Sequence, residues 1–159
     1  MSALPSLGPR GEGWVTGQVI LLAAVGVAGV VNRPDWDGTA LVVSQGIGVV
    51  LAISGVLIGV VGVRDLGASL TPLPHPKGDA RLVQGGIYGH VRHPLYAGLV
   101  VGALGWALFA ASLLALAFSA ALAVFLDLKA RREEAWLRER YPLYVHYARR
   151  VRRFVPGVY

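Results

Sequence analysis

Long apolar stretches alternate with short polar ones along this chain. From Trp14 to Val31, eighteen residues carry no charge. As a helix at about 1.5 Å per residue they span roughly 27 Å, enough to cross a bilayer core, so the pattern predicts a first crossing over 14–31. The turn at 32–38 sets Asp35 and Asp37 against Arg33, with Trp36 suited to a membrane interface. A second uncharged run, Gly38 to Val63, predicts a crossing over 39–63. Residues 64–93 are the longest polar segment. Leu95 to Leu126 then form thirty-two uncharged residues, too many for one ordinary crossing. They divide into helices over 94–109 and 113–141, turning near Ala110-Ala111-Ser112; one long tilted helix is the alternative. The last helix leaves the membrane at Asp127, and 142–159 complete the chain. The expected architecture is an all-α integral membrane protein of about four transmembrane helices. The last two form a tight hairpin, followed by a cytoplasmic C-terminal helical extension, all in one domain, 1–159.

Small residues suggest where helices approach closely. Gly55 and Gly59 are four apart on the second run, with Gly26 and Gly29 of the first as a candidate counterpart; Gly98, Gly102 and Gly105 give the third helix a close-packing face. Met1 to Gly13 reads as a loose tail. A cleaved signal peptide fits poorly, because the apolar run is long for one and only Arg10 precedes it. Thr71 to Lys77 places three prolines at alternate positions, which forbids regular helix. A loop as long as 64–93 in so small a protein points to function. Leu82-Val83 is expected to tuck it against the membrane surface.

Composition narrows the class. The chain is 55% hydrophobic and only 15% charged, as membrane proteins are. Having no cysteine excludes disulfides and thiol nucleophiles. Four histidines without a His-x-x-x-His pair give zinc little support. The formal charge of +6 would suit nucleic acid, but the arginines flank apolar runs and are better explained by orientation in a membrane. Residues 129–153 carry nine Lys/Arg against three Glu, whereas the 32–38 turn is net negative. By the positive-inside rule the long loop and both termini are cytoplasmic, in the cell inner membrane.

The candidate chemistry gathers on that side. In Gly86-Ile-Tyr-Gly-His-Val-Arg-His-Pro-Leu-Tyr96, Pro94 favours the first turn of a helix. Arg92 and His93 then stand at the helix entrance, a natural seat for a carboxylate or phosphate; anchoring to the membrane surface is the plainer alternative. Glu133 and Glu134 follow the last crossing, and helical i,i+4 pairing with Lys129 and Arg138 would account for them by itself. Tyr141, Tyr144 and Tyr147 recur every three residues, as one aromatic helical face or an interfacial belt.

Together, Tyr88-x-x-x-Arg92-His93-Pro94-x-Tyr96-x-Gly98, Glu133-Glu134-x-x-Leu137, and Tyr141-x-x-Tyr144-x-x-Tyr147-x-x-x-Val151-x-Arg153-x-x-Pro156 resemble the isoprenylcysteine carboxyl methyltransferase family. The wider group takes in the phospholipid methyltransferases. Where the family usually has Gly-Pro-Tyr, this chain has Gly86-Ile87-Tyr88, which removes no chemical group. The resemblance implies S-adenosyl-L-methionine as methyl donor and a lipidic or prenylated acceptor, foremost a carboxylate, reached from among the membrane lipids. It assigns catalytic roles to Arg92, Glu133 and Glu134. Cofactor binding falls to these with Tyr88, His93, Pro94, Tyr96, Gly98, Leu137, Tyr141 and Tyr144. On this reading Arg92 binds the cofactor's carboxylate and a glutamate its ammonium or ribose. A sterol-reductase-like enzyme using NADPH and a non-catalytic helix bundle are the competing readings. Glycine stripes serve internal and external packing alike, so oligomeric state stays open.

Overall fold

The computed structural model describes residues 4–31, 34–76, 78 and 80–159. Asn32 and Arg33 of the first turn, Lys77 of the proline segment, and Met1 to Ala3 of the tail lie outside the described residues. Among the described residues five α-helices follow in order: α1 Glu12–Val31, α2 Gly38–Leu66, α3 Pro94–Phe109, α4 Leu113–Arg140 and α5 Tyr144–Arg150. Short 3₁₀ turns lie at Gly67–Ser69 and Gly86–Gly89. The fold is all-α. Among the described residues, the one β-type pairing is an isolated parallel bridge between Val91 and Arg152.

Helices α1, α2 and α4 are each long and apolar enough to cross a membrane. Helix α3 has 16 residues, about 24 Å of length. Residues 95–126 are thus two helices, and the chain reverses between them at Ala110-Ala111-Ser112, where Ala111 takes a left-handed φ of 50°. Ser112 caps α4 by accepting from the Ala115 amide at 3.2 Å. Asp35, from the opposite turn, accepts from the Leu113 amide at 2.9 Å, so the two connections at this end of the bundle are laced together.

The helices pack chiefly in two pairs, α2 with α3 and α1 with α4. The α2–α3 contact is a glycine seam. A Cβ on Gly55 would stand 2.5 Å from the Gly102 amide nitrogen, and one on Gly98 would stand 2.8 Å from the Gly55 carbonyl oxygen. In lipid, apolar side chains gain nothing by leaving the tails, so such close backbone approach is a main source of helix affinity. The partner of Gly55 is therefore α3, not the Gly26/Gly29 region of α1; Gly26 has nothing near its Cβ direction, and Gly29 packs on Trp106. Val25, Ala103, Leu122 and Leu126 form a core between the pairs. Outward-facing Ile20, Val42, Val50, Val56 and Val60 are exposed, an apolar coat that suits lipid.

The N-terminal segment is not a loose tail. Trp14 Nε1 donates to the Pro5 carbonyl at 3.1 Å, and Gly11 packs against Pro74 and Trp136. The described N-terminal residues thus lie at the same end of the bundle as the long loop and the C-terminal segment.

If the α2–α3 seam depends on absent side chains, Gly55→Ala should destabilise the detergent-solubilised protein by about 1–3 kcal/mol, the usual cost of overpacking. Gly46→Ala, on an open face of the same helix, should leave the thermal midpoint unchanged or raise it.

Candidate active site

The polar end of the bundle begins with a constrained turn. Asp65, near the end of α2, accepts from the Ile87 amide at 2.9 Å. Gly86 has φ +58°, and a Cβ there would collide with that carboxylate, so the position is held to glycine on two counts. The turn buries Tyr88, whose carbonyl accepts from the Tyr147 hydroxyl at 2.6 Å. Beyond it the chain runs beside the C-terminal segment: the Arg92 amide donates to Arg152 O at 2.8 Å and the His93 amide to Arg153 O at 3.0 Å. His93, at φ −126° and ψ 61°, lies outside the helical region before Pro94, as the proline ring favours, and Pro94 opens α3.

At the centre lies the fully buried carboxylate of Glu134. Its Oε1 accepts from Arg92 Nε and Nη2 at 3.1 and 2.8 Å and from Arg153 Nε at 3.1 Å, with His93 Nε2 at 3.2 Å. Its Oε2 accepts from Arg138 and Arg153 Nη2, both at 3.2 Å. Arg92 also donates through Nη1 to the carbonyls of Ala148 and Val151. The anion that Arg92 and His93 hold at the helix entrance is therefore the protein's own. Of the two helical pairs expected on α4, Glu134–Arg138 forms, whereas Lys129 turns away from Glu133 to the Gln18 side chain at 2.6 Å.

Beside this cluster is a cavity of about 90 Å³ with a mixed polar and apolar lining, walled by Tyr88, Arg92, His93, Glu133, Leu137, Tyr141, Tyr144 and Tyr147 and roofed by the loop segments 69–76 and 80–83. Pro74 of that loop is fully buried, and Tyr141 donates to Ala80 O at 2.5 Å. Leu82 and Val83 face this cavity rather than tucking back on the membrane. Glu133 is a quarter exposed, accepts from the Tyr96 hydroxyl at 2.7 Å and lies 3.8 Å from His93 Nδ1. The Tyr144 hydroxyl is buried with no hydrogen-bond partner among the described residues. An orphaned donor on a cavity wall marks a place where a ligand can complete the bonding. Burial pushes the phenols of Tyr88 and Tyr144 well above the usual tyrosine range and that of Tyr147 up to about 12.

A second space adjoins the first. An apolar groove of about 1010 Å³ runs between α1, α2 and α3, and Thr71 lines both spaces. Tyr96 stands on the groove side of the wall and reaches Glu133 on the other.

The residues singled out from sequence therefore divide. Tyr88, Arg92, His93, Glu133, Leu137, Tyr141 and Tyr144 converge on the first cavity. Glu134 lies behind it as the charge that organises the wall. Pro94 is buried at the head of α3, and Tyr96 faces the groove. Gly98 belongs to the α2–α3 seam and the groove, because the Gly55 backbone fills the space where its side chain would be. The three tyrosines do not share one helix face: α4 ends at Arg140, and extended Tyr141 turns the chain into α5. Tyr147 and Arg153 were visible in the motif but not picked out as site residues. Lys129 was seen only as a helical pairing partner, and within the charged stretch from Asp127 to Glu134 nothing in the sequence sets it apart.

A family model described as Phospholipid methyltransferase matches residues 43–143, from the second turn of α2 to the link before α5. No curated protein matches the chain closely enough to count as a relative.

Glu134→Gln should destabilise the protein by about 3–5 kcal/mol, since buried cations lose their counter-charge. Glu133→Gln should cost far less, and thermal unfolding in detergent separates the two. The buried tyrosines hold their protons more tightly folded than unfolded, so the stability they carry is complete below pH of about 10. It is lost as pH rises toward about 12, the Tyr147 value, which alkaline unfolding followed by phenolate absorbance would register.

Proposed function

Since the chain belongs to the phospholipid methyltransferase family, we propose that it is an S-adenosylmethionine-dependent membrane methyltransferase acting on a lipidic or isoprenoid acceptor, foremost a carboxylate. The observation that carries the reading is the cavity with its orphaned Tyr144 hydroxyl and quarter-exposed Glu133, set wall to wall with an apolar groove. One space suits a water-soluble polar cofactor and the other a lipid chain.

The donor set fits the cofactor. Glu133 can accept hydrogen bonds from an ammonium or ribose hydroxyls, and the Tyr144 hydroxyl can complete its bonding there. Tyr88 and Tyr141 offer aromatic faces for a purine or a sulfonium, the latter a cation–π contact of about 0.5–2 kcal/mol. When bound, the cofactor supplies a methyl group already activated by its sulfonium. The protein's remaining tasks are alignment and exclusion of water. Arg92 and Glu134 act as positioning residues: with Arg153 they clamp the C-terminal segment and hold Glu133 and the tyrosines in place. A pocket for a ligand of this size takes about 300–1,000 Å³. The roof segments 69–76 and 80–83 therefore have to lift on entry, and their return shuts out water.

A carboxylate acceptor is ionised at neutral pH and needs no base. An amine would have to lose a proton, and Glu133 and His93 are the groups at hand. On this reading the site faces the cytoplasm from the cell inner membrane, with both termini on that side.

Calorimetric titration with S-adenosylhomocysteine, run beside NADPH, tests the proposal. The former should bind and the latter should not. Tyr144→Phe should weaken binding about tenfold, the worth of one buried hydrogen bond, with stability unchanged. Glu133→Ala should abolish it. Binding of NADPH in place of S-adenosylhomocysteine would transfer the site to reductase chemistry.

A further inference from the structure

Lys129 has no part in the scheme above, yet it is 1% exposed and lines the apolar groove. Its Nζ donates to Gln18 Oε1 at 2.6 Å and to Pro72 O at 3.3 Å, and it stands 5.1 Å over the Tyr96 ring. An ammonium has three donors, and the two acceptors it meets here are neutral. Among the described residues it belongs to no ion pair. Glu133, one turn further along α4, is engaged with Tyr96 and faces the other cavity. Arg64, the other charged residue on the groove, is an exposed cation paired with its neighbour Asp65. The rest of the lining is almost wholly apolar, with Leu22, Val25, Val60, Leu99 and Trp106 among it. The groove therefore has one buried charge, at its polar end beside the wall to the cofactor cavity, and that charge is positive.

Glu133 attracts the Lys129 ammonium from beyond ion-pair distance, which only partly offsets the cost of burying the cation, and a ligand that brings the opposite charge into the groove recovers more of it. A ligand that brings the same charge adds to it. We propose that Lys129 selects the acceptor by charge, admitting a chain with an anionic carboxylate head and rejecting the same chain with a cationic amine head. The proposal rests on the reading that the groove receives the lipidic acceptor, and it adds the residue that decides which acceptors are taken.

The test compares farnesoic acid with farnesylamine, which share a chain and differ in head-group charge, in equilibrium binding to the detergent-purified protein. The wild type should bind the acid at least tenfold more tightly. Lys129→Met should erase the preference, and Lys129→Arg should keep it. Gln18→Glu places a carboxylate beside the intact ammonium and should also erase it, so the result does not depend on how Lys129→Met folds. A role confined to bridging α1, α4 and the loop would lower stability in these variants but leave the acid-to-amine ratio unchanged. That outcome overturns the proposal, as does a wild type that prefers the amine or binds neither probe. S-adenosylhomocysteine titration of the same samples keeps the two readings apart. Failure to bind it, with acid preference intact, removes the methyltransferase reading and leaves the charge selector standing.

Discussion

A carboxylate sealed inside protein is tolerated only when cations and hydrogen-bond donors surround it closely, and Glu134 imposes that condition on this fold. Its partners come from three separated stretches: Arg92 and His93 at the entrance to α3, Arg138 one turn along α4, and Arg153 near the C-terminus. Satisfying one charge thus brings together segments that are far apart in sequence. Arg92 extends the effect by donating to carbonyls of the C-terminal segment, and the Val91–Arg152 bridge aligns the two backbones. The aromatic wall of the cavity follows, because α5 is carried on the same segment and delivers Tyr144 and Tyr147 against Tyr88. The cluster that resembles catalytic machinery in one dimension is thus largely the framework on which the site is built.

The apolar part of the molecule obeys a different constraint. Lipid tails give helices no hydrophobic reason to associate, so affinity comes from close backbone approach and from a few buried hydrogen bonds. The glycine seam joins α2 to α3, while Trp106 Nε1 donates to Val25 O at 3.2 Å and Ser112 Oγ to Ala28 O at 3.3 Å across to α1. Joining the helices as pairs leaves a groove between α1 and α2, and its polar end meets the cavity beside Glu133 at Tyr96. A cavity and an apolar groove are thereby brought to opposite sides of one tyrosine. On the function proposed above, this arrangement would set a soluble donor beside a lipidic acceptor.

Much of this was legible in the chain. Uncharged runs located the helices to within a few residues, because a crossing segment must be long and apolar and little else can be. Pro94 marked the start of α3 and Ala110-Ala111-Ser112 the reversal, both through local backbone preference. The tyrosines, Arg92, His93 and the paired glutamates announced the polar end, because polar residues beside a membrane segment are few enough to be noticed.

What the sequence determined by itself was therefore local: helices, turns, membrane class, and the residue types available for chemistry. Which of two adjacent glutamates faces the cavity and which is buried behind it was decided by the tertiary structure. Neighbours on a helix point about 100° apart, and only packing says which direction is the interior. The same holds for Gly55, whose partner is α3 and not the glycines of α1, and for Lys129, whose charge gains meaning from the groove around it. Pairings between distant segments rest on shape and charge in three dimensions, and no spacing along the chain encodes them.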